Sequence, residues 1–153
     1  MIQKNLPTGV TNIRLNNIVG GNTPSYLFAG IIESSAIMGD TKLSSTCFKQ
    51  HSVQEFDVLI DGQSEIGFPI RIEEESPVRV FNQYLNVTNR KFNNLVSETI
   101  PIRDFASFHY LYAHKFTVGQ TDTGWLSINL KLAQEYTQNY TLGEFFIIIF
   151  VLK

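Results

Sequence analysis

A chain of 153 residues, 43% of them apolar, is long enough to bury roughly two thirds of the surface it would expose unfolded, so it can hold a core of its own. Its net charge of −2, with Lys and Arg scattered, excludes the basic footprint of a phosphate-backbone binder, and its one cysteine, Cys47, excludes an internal disulfide framework. Charge is sparse at 17% and phenylalanine common at twelve residues, a mixture that fits pleated surfaces better than helical bundles.

The N-terminal MIQKNLPTG carries no apolar run of signal-peptide length, and Phe145 to Leu152 is far shorter than the roughly 20 residues a spanning helix needs. The reading is therefore a non-secreted chain with no membrane span. Two N-x-T sequons, at Asn86 and Asn139, are idle without secretion.

In chain order, VTNIRLNNIV places Ile13 and Leu15 opposite Arg14, a strand closed by Gly20-Gly21. YLFAGIIES lines one face with Tyr26, Phe28 and Ile32 and the other with Leu27, Ala29 and Ile31, so both its faces need cover. After the Gly39-Asp40 turn, KLSSTCFK is a weak strand or an extended loop. SVQEFDVLI sets Phe56, Val58 and Ile60 against Glu55 and Asp57, and Asp61-Gly62 joins it to EIGFPIRI as a tight hairpin.

One helix is expected over about residues 77–92. Ser76-Pro77 supplies an N-cap and first-turn proline, and Glu73 to Glu75 place negative charge at the positive end of its dipole. Val78, Phe81, Leu85 and Phe92 form one apolar stripe, expected to face the core. Val80, Tyr84 and Val87 form a second, offered as a partner contact.

Past Pro101, an aromatic-rich segment is expected to become a strand around His109 to Val118, and the loop GQTDTG follows. WLSINLKL then alternates cleanly, with Leu126, Ile128, Leu130 and Leu132 inward and Trp125, Ser127, Asn129 and Lys131 outward. The polar loop QEYTQNYTLG leads to the closing EFFIIIFVLK. About eight short strands with one inserted helix make a single all-β domain, 1–153: an eight-stranded antiparallel jelly-roll sandwich, with an immunoglobulin-like arrangement as the second topology.

No constellation carries chemistry. His109 and His114, five apart on one strand, would point to opposite faces and share no metal, and His51 stands apart. No G-x-S-x-G elbow is present, and Cys47 lies far from any helix start that would activate it. The loop from Gly119 to Gly124 lacks the Lys of a phosphate cradle. Consecutive Glu73, Glu74 and Glu75 diverge, so they do not converge on a cation. No catalytic residue, cofactor, metal or small-molecule substrate is nominated. A carbohydrate- or receptor-binding β-sandwich is the alternative function, with Trp125, Tyr110 and Tyr112 as its aromatic candidates.

The succession YLFAGIIES, FDVLIDGQ, VRVFNQYL, FASFHYLYAHKFT, GWLSINLKL and FFIIIFV resembles the C-terminal jelly-roll region of capsid proteins from Polinton/Maverick elements and adintovirus-like viruses, over about Leu6 to Leu152. The resemblance implies a structural subunit of the double jelly-roll lineage that self-associates as a trimer or higher, joins other capsid proteins in an icosahedral shell, and has no catalytic residues. It implies a virion location after synthesis in host cytoplasm or nucleus. A counterpart to the first jelly roll of such proteins is missing from these residues. The implied protein is thus a C-terminal half, a separate penton-type subunit or a host-captured remnant.

The closing strand gives this a physical form. If Phe145, Ile147, Ile149 and Val151 face one way, Phe146, Ile148, Phe150 and Leu152 face the other, and only one set fits between two sheets. Burying the second set is worth on the order of 6 to 12 kcal/mol, so it needs a cover, from the inserted helix or a neighbouring subunit. The interface candidates are therefore Phe146, Ile148 and Phe150, with Val80, Tyr84, Val87 and Trp125.

Overall fold

Two antiparallel sheets face each other across one apolar core, an all-β sandwich with few helices. The computed structural model describes residues 1–22, 24–39, 44–65, 67–72, 77–88, 100–116, 123–133 and 145–152. The first sheet contains β1 (Ile2–Leu6), β3 (Tyr26–Glu33), β7 (Tyr112–Lys115) and β9 (Phe145–Leu152), in the order β1-β9-β3-β7. The second contains β2 (Asn12–Asn22), β4 (Val53–Ile60), β5 (Gln63–Ser64), β6 (Ile70–Arg71) and β8 (Thr123–Leu132), in the order β2-β8-β4-β5, with β6 also on β4. From β1 to β4, and again from β7 to β9, each successive strand lies in the opposite sheet.

The inward residues are those the period-2 alternation selects. Leu126, Ile128, Leu130 and Leu132 of β8 are all buried, as are Phe56 and Val58 of β4 and Leu27, Ala29 and Ile31 of β3. The sheets are locked by Phe56 and Tyr112, whose rings stack at 4.7 Å and 11° across the core. From Tyr112 an aromatic chain runs through Tyr110 to Phe105, which touches both Phe81 and Tyr84. Offset and tilted ring pairs of this kind add to the area they bury.

The Asp61-Gly62 hairpin forms as its residues dictate. Leu59 pairs with Ser64 and Ile60 with Gln63, and the two loop residues adopt φ of 49° and 84°. Positive φ at both central positions matches the right-handed twist of the flanking strands. β2 runs on through Gly20-Gly21 rather than ending there, and carries an irregularity between Leu15 and Val19 with Asn17 at φ 52°.

Four features differ from the sequence expectation. β1 was not foreseen, because IQKNL has polar residues at three consecutive positions; it forms as an edge strand whose ladder comes from β9. The one-turn α1 (Ser34–Ile37) follows β3, and α3 (Ile102–Phe108) occupies the start of the segment read only for its later strand. Among the described residues of the expected span, that strand is β7, four residues long. The foreseen helix is α2 (Val78–Val87), begun by Pro77, whose carbonyl accepts the Phe81 N–H at 2.8 Å. The Ser76 cap, the Glu73 to Glu75 run, Phe92, Asp40, the core of the GQTDTG loop, and the polar loop with Asn139 lie outside the described residues.

Candidate functional site

The outer face of the first sheet is the surface the closing strand made suspect. β9 lies between β1 and β3, so both its faces are fully presented. Ile147 and Ile149 enter the core, while Phe146 and Ile148 join Ile32 and Ala36 in a second apolar cluster, with Phe48 and Phe150 packed against it. Phe146 is 8% exposed and Ile148 6%. Their cover is the chain itself. It comes from α1 and from the Phe48 segment rather than from the helix at 78–87 or a neighbouring subunit. Both residues are therefore withdrawn from the free surface on which they were expected, because a one-turn helix and a folded-back segment had no periodicity to announce them.

Phe48 is held over the sheet by backbone bonds on either side: its N–H donates to the Phe108 carbonyl at 3.0 Å, and its carbonyl accepts the Tyr110 N–H at 3.1 Å. Gly30 makes room beneath it. A Cβ there would stand 2.8 Å from both Phe48 Cγ and Leu111 Cδ2. Beside this cover, Ile37, Met38 and Phe108 remain exposed, and Phe150 is half-buried. A groove of about 280 Å³ runs between Ile32, Ala36, Cys47, His51 and Phe108. Burial, reinforced by the Lys49 charge, lowers the His51 pKa to about 4, so its imidazole is neutral at pH 7. The ring packs on Phe145 at 4.9 Å. The Cys47 thiol points at the Ser107 carbonyl, 3.8 Å away.

On α2 the second stripe faces the core, joined there by Phe81 of the first. Val80 is 1% exposed and belongs to the core, Val87 is buried and Tyr84 half-buried against Phe105, whereas Val78 is 47% exposed. The buried arc is centred on residues 80, 84 and 87, with Phe81 on its flank. Starting the count at Val78 turned the predicted face away from the core, so Val80 and Val87 are not partner contacts on this chain.

The outer face of the second sheet is polar. Trp125 is 55% exposed there, while Tyr110 and Tyr112, its fellow candidates, are 1% exposed and belong to the core. The indole lies flat on Gly20: a Cβ built on that glycine would sit over Cζ3 and stand an equal 2.8 Å from Cε3 and Cη2. The Asp61 carboxylate accepts the Trp125 backbone N–H at 2.9 Å, fixing the strand at this point. Farther along, a groove of about 230 Å³ is lined by Arg14, Glu55, Asp57, Asn129 and Lys131. Glu55 meets both Lys131 at 3.6 Å and Arg71 at 3.8 Å, and Asp57 accepts the Ser64 hydroxyl at 2.7 Å.

His109 ends α3 and is exposed, so it does not share a strand with His114. His114 is 9% exposed, with its Nε2 buried and unpartnered among the described residues, and its ring stands edge-on to Phe116. Burial lowers its pKa to about 4. Among the described residues no three His, Cys, Asp or Glu side chains converge as a metal site, and no helix is long and apolar enough to cross a membrane. No family model, curated protein or solved structure matches the chain.

Proposed function

We propose that the chain is a structural capsid subunit, a jelly roll that self-associates into capsomers of a shell. The observation that carries this reading is the strand order. Alternation of successive strands between two sheets is what the paired Greek keys of a jelly roll produce. β5 and β6 both lie along the same edge of β4; taken together as one broken strand, they make eight strand positions among the described residues, which supports the jelly-roll reading. The sequence resemblance to Polinton/Maverick and adintovirus-like capsid proteins points to the same class.

The surface for self-association is the outer face of the first sheet. Its centre is sealed by Phe48 and α1, while Phe108, Ile37 and Met38 stand exposed at the margin with Phe150 half-buried beside them. Apolar residues grouped in this way are a common mark of protein contact. The test is light scattering on eluted protein across a concentration series. The wild type is expected to form trimers or larger species, and Phe108→Asp to shift it to monomer with an unchanged far-ultraviolet dichroism spectrum. Phe146→Asp, by contrast, is expected to lose the fold, because it places an unpaired charge in a closed cluster. A wild type that stays monomeric at every concentration overturns the proposal.

A further inference from the structure

The face of the second sheet turned away from the core holds two features that assembly through the first sheet leaves unused. One is an indole with one side seated on Gly20 and more than half its surface open. The other is Arg14, which makes no ion pair among the described residues although it lies in a groove with two carboxylates. The two are neighbours through the hairpin turn: Arg14 Nη2 lies 3.5 Å from where a Gly62 Cβ would be, and Asp61, the preceding residue, holds the Trp125 backbone.

We propose that this face binds an acidic glycan, with Trp125 stacking on a pyranose ring and Arg14 taking the sugar's carboxylate. The chemistry of the surface selects this ligand class. An indole whose rear face is fixed by a glycine is already oriented, so stacking the C–H face of a sugar on it orders little else. Farther along the same face, the groove that Arg14 lines mixes donors and acceptors, Asn129 and Lys131 with Asp57, as a hydroxyl-rich ligand requires and an apolar one does not. Each carboxylate of this face already has a partner, Glu55 in Lys131 and Arg71, Asp57 in the Ser64 hydroxyl and Asp61 in the Trp125 N–H, so Arg14 is the guanidinium left for an added negative charge. A phosphate backbone would demand several.

The proposal stands apart from self-assembly, and its test reads a different signal. Isotope-labelled protein is titrated with 3′-sialyllactose and, separately, with lactose, following the Trp125 indole N–H and the backbone amides by NMR. Sialyllactose is expected to shift the Trp125 and Arg14 signals and to bind more tightly than lactose. Trp125→Ala is expected to abolish binding, and Arg14→Gln to weaken it by about tenfold and erase the preference for the acidic sugar. Gly20→Ala, which unseats the ring while keeping it, is expected to weaken both sugars. Amide dispersion reports that each variant is folded. No shift at Trp125 with either sugar, or equal binding by folded Trp125→Ala, overturns the proposal, and equal affinity for the two sugars removes the carboxylate from it.

Discussion

Two glycines and a histidine show how single positions are chosen by what lies against them. Gly20 and Gly30 are strand residues whose bare Cα is covered by a ring, Trp125 in one case and Phe48 with Leu111 in the other. Strand glycines often mark such close approach. Gly30→Ala is expected to cost about 1–3 kcal/mol by overpacking, read as a lower midpoint in urea, because Phe48 is pinned by two backbone bonds and yields little. His114 makes a different prediction. Its folded pKa is depressed from 6.5 to about 4, so the folded state prefers the neutral ring. Its contribution is complete above pH 6.5 and is lost as pH falls through the folded value. Between pH 6.5 and 5 the loss is about 1–2 kcal/mol. His51 titrates in the same window, so the test is the difference between wild type and His114→Leu in urea melts at pH 7 and pH 5. The variant is expected to show the shallower pH dependence, and an equal slope would mean that His114 does not contribute.

At the scale of elements, legibility followed the clarity of the period. β8 and the Asp61-Gly62 hairpin were readable because each sets a local rule, strict alternation in one and positive φ in the other. α2 was readable as a helix but not in its orientation. Both of its stripes are apolar, and which one is buried depends on Phe105, from a helix that had not been foreseen. α3 did leave a signal, with Pro101 before it and Asp104 in its first turn, but aromatic richness outweighed it. α1 left none, because four residues carry no period. The face assignment of α2 is tested by a pair of substitutions: Val80→Asp is expected to cost more than about 3 kcal/mol, and Val78→Asp to stay within roughly 0.5 kcal/mol. Comparable losses would return the core to the Val78 stripe. Of the surface candidates, Trp125 was legible because it broke the polar side of a clean strand. The sealing of Phe146 and Ile148 was not, since it rests on contacts between residues far apart in sequence.

For the whole molecule, the sandwich follows from β-rich composition and recurrent turns, while the arrangement of strands depends on pairings that no local pattern encodes. β1 and β9 exchange a ladder from Ile2↔Ile149 to Leu6↔Phe145, joining residues from opposite ends of the sequence. Long-range pairings of this kind make folding slow. Stopped-flow refolding is expected on a timescale of roughly milliseconds to seconds, and a main phase in microseconds would contradict it. Because β9 lies between β1 and β3 and pairs with both, β1 has no ladder in its sheet until β9 arrives. On the ribosome, residues 145–152 are the last of the described strands to emerge, so half of the sandwich waits, with its apolar seams open, until they do.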